Sequence, residues 1–165
     1  MSGKKQAKSQ QPSLFGAAGD ATHADSPLLA PARTHTEAQL LGFQELVLKA
    51  LQGAAEAGGT AGRTRFAKLV QHTGEGDSVR DNCGGATIHL RVDGRSALGR
   101  VLRQLMRDGP PWLIVTRERG RGYCVGFHYG FVCRERSPMV AAAHAALEVI
   151  QQELGVEGWV QDYLS

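Results

Sequence analysis

The chain has 165 residues, 42% of them hydrophobic and 21% charged, with a formal net charge of +3, which fits one domain with tails. No stretch approaches the roughly 20 consecutive apolar residues of a membrane span, and the N-terminus, Met1-Ser2-Gly3-Lys4-Lys5, lacks the apolar centre of a signal peptide. The three cysteines, Cys83, Cys124 and Cys133, are odd in number and not closely paired, so reduced thiols and a cytoplasmic location are expected rather than a disulfide framework.

Charge is unevenly placed. Residues 1–60 balance 5 basic against 5 acidic side chains, residues 61–136 hold 14 Lys and Arg against 7 Asp and Glu, and residues 137–165 hold 4 acidic side chains and no Lys or Arg. A basic block followed by an acidic end points to one surface for a polyanion. Of the 14 basic residues in the block, 13 are Arg, whose planar fork suits phosphates and guanine edges.

In chain order, residues 1–34 are rich in Gln, Ser, Ala, Gly and Pro, show no apolar period, and are expected to be disordered. One apolar spot interrupts them, Gln11-Pro12-Ser13-Leu14-Phe15. Thr36 is placed to cap a helix over 37–57, with Leu40, Phe43, Val47 and Leu51 at helical spacing and Gly58-Gly59 as its stop. A short helix over 64–72 should turn Phe66, Leu69 and Val70 inward, and residues 73–85 read as a loop. Residues 87–92 alternate, Ile88, Leu90 and Val92 against Thr87, His89 and Arg91, as in a half-buried strand. A helix over 95–108 ends at Gly109-Pro110-Pro111. Residues 112–116 and 123–127 flank the turn Arg117-Glu118-Arg119-Gly120-Arg121-Gly122 and read as a hairpin. Ser137-Pro138 opens a last helix, to Leu154, followed by an acidic tail. The expected class is α+β, with a tail over 1–34, a domain over 35–136 and a C-terminal helix and tail over 137–165.

The helix over 95–108 divides at 100° per residue. Leu98, Val101, Leu102, Leu105 and Met106 share the face expected to meet the core. Ser96, Arg100, Arg103 and Arg107 share the opposite face, with Gln104 at its border. Arginines on one stripe repel one another until an anion neutralises them. The hairpin tip adds Arg117, Arg119 and Arg121 beside two glycines that let the backbone approach a phosphate. A basic helix followed at once by a basic-tipped hairpin is the order in which a winged helix places a helix in the major groove and a wing on the backbone or minor groove.

The run from Arg95 to Leu105, then Trp112-Leu113-Ile114-Val115-Thr116, then Arg119-Gly120-Arg121-Gly122-Tyr123 resembles the winged-helix effector domain of response regulators over residues 93–127. The matching wing positions are Leu113, Ile114, Thr116, Gly120, Gly122 and Tyr123. The resemblance implies a winged helix-turn-helix-like fold that binds double-stranded DNA through Ser96, Arg100, Arg103, Gln104, Arg107, Arg117, Arg119 and Arg121. No receiver domain accompanies it, and the family's N-terminal strands are replaced by the tail, so it implies the DNA-binding mode and not the signalling role. Gln11, Leu14 and Phe15 resemble the bacterial sliding-clamp-binding peptide, with Pro12 where that family often has Leu. This second resemblance implies recruitment of a nucleoid-associated protein to replication or repair sites through the clamp.

Other chemistries are weaker. Gly120, Gly122 and Gly126 precede a strand rather than opening a helix, unlike a dinucleotide fingerprint. No Ser, His and Asp arrangement argues for an enzyme. Cys124, His128 and Cys133 match no zinc spacing, so neither metal nor cofactor is expected. Ala141, Ala142, Ala145 and Ala146 form a small-residue surface that suits close helix packing on the domain or on a second subunit in a homodimer. A protein-interaction adaptor built on the same scaffold is the alternative function.

Overall fold

The computed structural model describes residues 26–73, 82–120, 122–131 and 135–165. The class is α+β: helices α1 (Glu37–Thr73), α2 (Ala97–Asp108) and α3 (Arg136–Leu154), with strands β1 (Gly84–Leu90), β2 (Leu113–Glu118), β3 (Gly122–Phe127) and β4 (Gly158–Leu164). The strands form one antiparallel sheet in the order β2-β3-β1-β4. Helix α3 packs on β1 and β4, α2 packs on β2, and α1 runs along α3 and touches α2. No described helix is long and apolar enough to cross a membrane.

Strand alternation divides the sheet into two faces. Ile88, Leu90, Leu113, Val115, Tyr123, Val125 and Phe127 are buried toward the helices. They join one cluster with Val47 and Leu51 of α1, Leu98, Leu102 and Leu105 of α2, and Ala146, Ile150 and Leu154 of α3. Residues on both sides of position 137 therefore share a single core. The other sheet face carries Ile114 and Trp159, both about half exposed.

Thr36 caps α1 as expected. Its hydroxyl accepts the Gln39 N–H at 3.3 Å while the Gln39 side chain accepts the Thr36 N–H at 2.8 Å, a reciprocal box that satisfies two otherwise unpaired donors. The expected stop at Gly58-Gly59 does not occur. The helix runs through these residues to Thr73, absorbing the separate helix expected over 64–72. The cause is tertiary: a Cβ on Gly58 would stand 2.4 Å from Tyr129 Cε1 and 2.7 Å from the Ala142 carbonyl oxygen, and one on Gly62 would stand 2.4 Å from Phe131 Cζ. Glycine costs about 1 kcal/mol within a helix, and here it admits Tyr129, Phe131 and α3 against the α1 backbone. Beyond that contact the helix gains less cover, so Val70, expected inward, is 46% exposed.

Order also begins earlier than Thr36. Leu28 is buried in the core, and a 3-10 turn spans Ala32–Thr34. The Ala30 and Leu28 carbonyls accept the N–H groups of Ala97 and Leu98 at 2.9 and 2.8 Å. The first N–H groups of any helix lack partners within it, and residues 28–30 supply them to α2. The expected acidic tail is in fact α3's turn followed by β4. Glu157 pairs with Arg91 at 3.0 Å and Asp162 pairs with Arg136, so the acidic side chains meet basic ones across the sheet and from α3. Of the expected small-residue surface, Ala142 and Ala146 are buried within the chain's own fold, where α3 lies along α1, and Ala141 and Ala145 are half-buried.

Candidate nucleic-acid interface

Helix α2 keeps its two faces. Leu98, Val101, Leu102 and Leu105 are buried. Met106, expected with them, is 41% exposed, because it falls at the edge of the stripe in the last turn. Arg100, Arg103 and Arg107 are exposed, and Gln104 is half-buried. Ser96 departs from its expected place on the outer face. It is buried, its hydroxyl accepting the Gly99 N–H at 3.0 Å and donating to the Asp93 carbonyl at 2.7 Å. This N-cap role uses the side chain fully and withdraws it from any ligand.

The hairpin closes as Glu118 pairs with Gly122. Gly120, in the tip, has φ of +115°, a conformation open chiefly to glycine. Along β2, alternation turns Arg117 to the helix side of the sheet and Glu118 to the opposite side. The buried Tyr123 hydroxyl donates to the Gly99 carbonyl at 3.0 Å, fixing β3 against the first turn of α2. A Cβ on Gly99 would stand 2.2 Å from the Asp93 carbonyl oxygen, so only glycine admits the 93–94 turn onto the helix.

These constraints form a cleft of about 400 Å³ between the start of α2 and the hairpin, lined by Arg95, Arg103 and Arg117 together with Gly94, Gly120 and Gly122. Arg103 donates to the Gly94 carbonyl at 2.8 Å. A Cβ on Gly94 would lie 3.2 Å from Arg103 Nη2 and 3.9 Å from Arg117 Nη2, so two guanidinium tips bracket one point. Asp93 also lines the cleft, but its Oδ1 accepts the Arg95 backbone N–H at 2.9 Å. Among the described residues, Arg95, Arg103 and Arg117 make no ion pair. Three cations with no carboxylate partner among the described residues, and glycine backbone within reach, favour an anion.

The expected site residues thus separate. Arg103 and Arg117 converge. Arg119 lies exposed in the turn beside them. Arg100 and Gln104 border a second groove, shared with Glu37, Leu40 and Gln44 of α1. Arg107 lies in the last turn of α2, where a cation also favours the helix dipole. Arg121, Gln11, Leu14 and Phe15 fall outside the described residues. Arg95 was not among the expected contacts. Its signal was the Asp93-Gly94-Arg95-Ser96 run, a turn and cap that aims the residue ahead of the helix beside the hairpin. Comparison with protein-family models, curated proteins and solved structures gives no match to this chain.

Proposed function

We propose that the protein binds double-stranded DNA, with α2 directed to the major groove and the β2–β3 hairpin acting as a wing on the phosphate backbone. The observation that carries this reading is the meeting of Arg103 and Arg117 at Gly94, in a cleft that Arg95 also lines, with no ion pair to any of the three among the described residues. The order α2-β2-β3 and the pairing of β3 with β1 suit a winged-helix arrangement, as does α1, which packs on α2. Residues 91–96 join β1 to α2 by turns alone, so the supporting helix of the pair is α1.

Titration of the full chain against duplex, single-stranded and forked DNA at rising salt tests the reading. Duplex binding is expected to weaken log-linearly with salt, with a slope of about −0.9 for each phosphate contacted. Absence of duplex binding at low salt overturns it and leaves the adaptor alternative, in which the same cations meet an acidic protein. Recruitment by a sliding clamp is a proposal resting on Gln11, Leu14 and Phe15 in sequence alone. A peptide of residues 6–20 is expected to bind the clamp with micromolar affinity, given its small contact area, and to lose binding when Leu14 and Phe15 are both changed to Ala. A peptide that stays unbound at millimolar concentration removes the replication link and leaves DNA binding untouched.

A further inference from the structure

On the sheet face away from the helices, three strands bring His89 of β1, Glu118 of β2 and Cys124 of β3 together, their ligand atoms all within 4.8 Å of one another. His89 Nδ1 lies 3.2 Å from Glu118 Oε2 and 3.4 Å from Cys124 Sγ. A single ring nitrogen carries either one hydrogen or one lone pair. Donating to the carboxylate leaves it nothing to accept a thiol proton with. Accepting from the thiol turns its lone pair toward an anion. One cation among the three atoms satisfies all of them. In a tetrahedral zinc site, with bonds of about 2.0–2.2 Å to N and O and about 2.3 Å to S, neighbouring ligand atoms stand roughly 3.3–3.6 Å apart, close to the two spacings from His89 Nδ1.

The surroundings fit the same reading. The His89 ring stacks on Trp159 of β4, with centroids 5.0 Å apart and planes 10° apart, which fixes its orientation. His89 is buried while the Glu118 side chain is 39% exposed, so the cluster has a firm base and an opening to solvent. Burial, then the Glu118 charge, raise the Cys124 thiol above its usual range, and a hydrogen bond with the Thr116 side chain opposes them. The nearby carboxylate that disfavours a bare thiolate becomes a co-ligand once a divalent cation is present, and the Thr116 contact is the kind of outer support that orients a ligand.

We infer that His89, Glu118 and Cys124 form a binding site for a divalent cation of the zinc class, with a fourth position open to water or a ligand. On binding, the Cys124 Sγ–H proton passes to solvent as the sulfur–metal bond forms, and the imidazole and carboxylate each contribute an electron pair. Since Glu118 adjoins Arg117 and Arg119, the cation would also tie the base of the hairpin to the centre of the sheet.

Co²⁺ is the probe. The full chain, stripped with a chelator and kept reduced, is titrated with Co²⁺ and followed by absorption. The site predicts one equivalent bound, with a thiolate-to-cobalt charge-transfer band in the near ultraviolet, visible bands of four-coordinate cobalt, and displacement of both by Zn²⁺. Cys124→Ser should abolish the charge-transfer band, and Glu118→Gln should weaken Co²⁺ binding by about 10-fold or more, since even outer-shell partners are worth about 10–100-fold. Cys83→Ser should leave the spectrum unchanged. His89→Gln loses the Trp159 stack as well as a ligand, so Cys124→Ser, which nearly preserves shape, carries the test if the histidine variant does not fold. Absence of a charge-transfer band in the wild-type chain, or its survival in Cys124→Ser, overturns the site.

Discussion

Changing Arg103 and Arg117 together to Ala should cost roughly 100-fold or more in duplex affinity and leave the melting curve unchanged. Hydrogen bonds to charged groups contribute about 1.5–3 kcal/mol each, and 1.4 kcal/mol is about tenfold. Both residues are exposed, so the core should not respond. Arg103 gives up its bond to the Gly94 carbonyl, an acceptor that water can serve at this opening. The salt slope should become shallower by about 0.9 for each lost contact. The control is Arg63→Ala with Arg65→Ala, which removes equal charge from exposed positions in the C-terminal half of α1. Equal losses from the two double variants would show diffuse attraction to a positive surface and would remove the cleft from the site.

Leu102→Ala should have the largest effect on the fold. The side chain is fully buried in the cluster that joins α2 to the sheet and to α1 and α3. Truncating such a leucine costs about 2–5 kcal/mol, from lost transfer energy and the cavity left behind. At about 3–5 °C per kcal/mol for a domain of this size, the midpoint should fall by roughly 6–25 °C. DNA affinity measured well below the new midpoint should be retained, because the residue faces away from the cleft. A midpoint within a degree of wild type would mean that the two faces of α2 are reversed.

What the sequence revealed and what it concealed follows from the reach of each signal. The Thr36 cap, the buried stripe of α2 and the β2–β3 hairpin are set by residues within a turn or two, and each lies where its local pattern puts it. Gly58 is a helix stop on local grounds and helical only because Tyr129 and Ala142 approach it, and no window of α1 contains those residues. Leu28 is apolar in a polar stretch, and its partner is the unpaired start of a helix far along the chain. Residues 155–165 look like an acidic end until Arg91 and Arg136 are placed opposite Glu157 and Asp162. The cleft was half legible. Arg103 and Arg117 were marked as basic, but their meeting at Gly94 depends on how β3 docks on α2 through Tyr123. His89, Glu118 and Cys124 sit on three strands at spacings that no linear metal motif describes.

The sheet's strand order also governs how the chain reaches this fold. Hairpin β2–β3 closes across three residues, but β1 finds its second neighbour only in β4, in a register running from Leu90 opposite Gly158 to Gly84 opposite Leu164. During synthesis the β1 backbone therefore emerges well before its partner and remains an uncovered edge while α2, the hairpin and α3 are being made. Closing such a long loop is entropically costly and slow, and an open edge in the interval is a template for pairing with another nascent chain. The polar Gln161 and Asp162, placed among Trp159, Tyr163 and Leu164, temper the stickiness of the late-arriving strand before it docks.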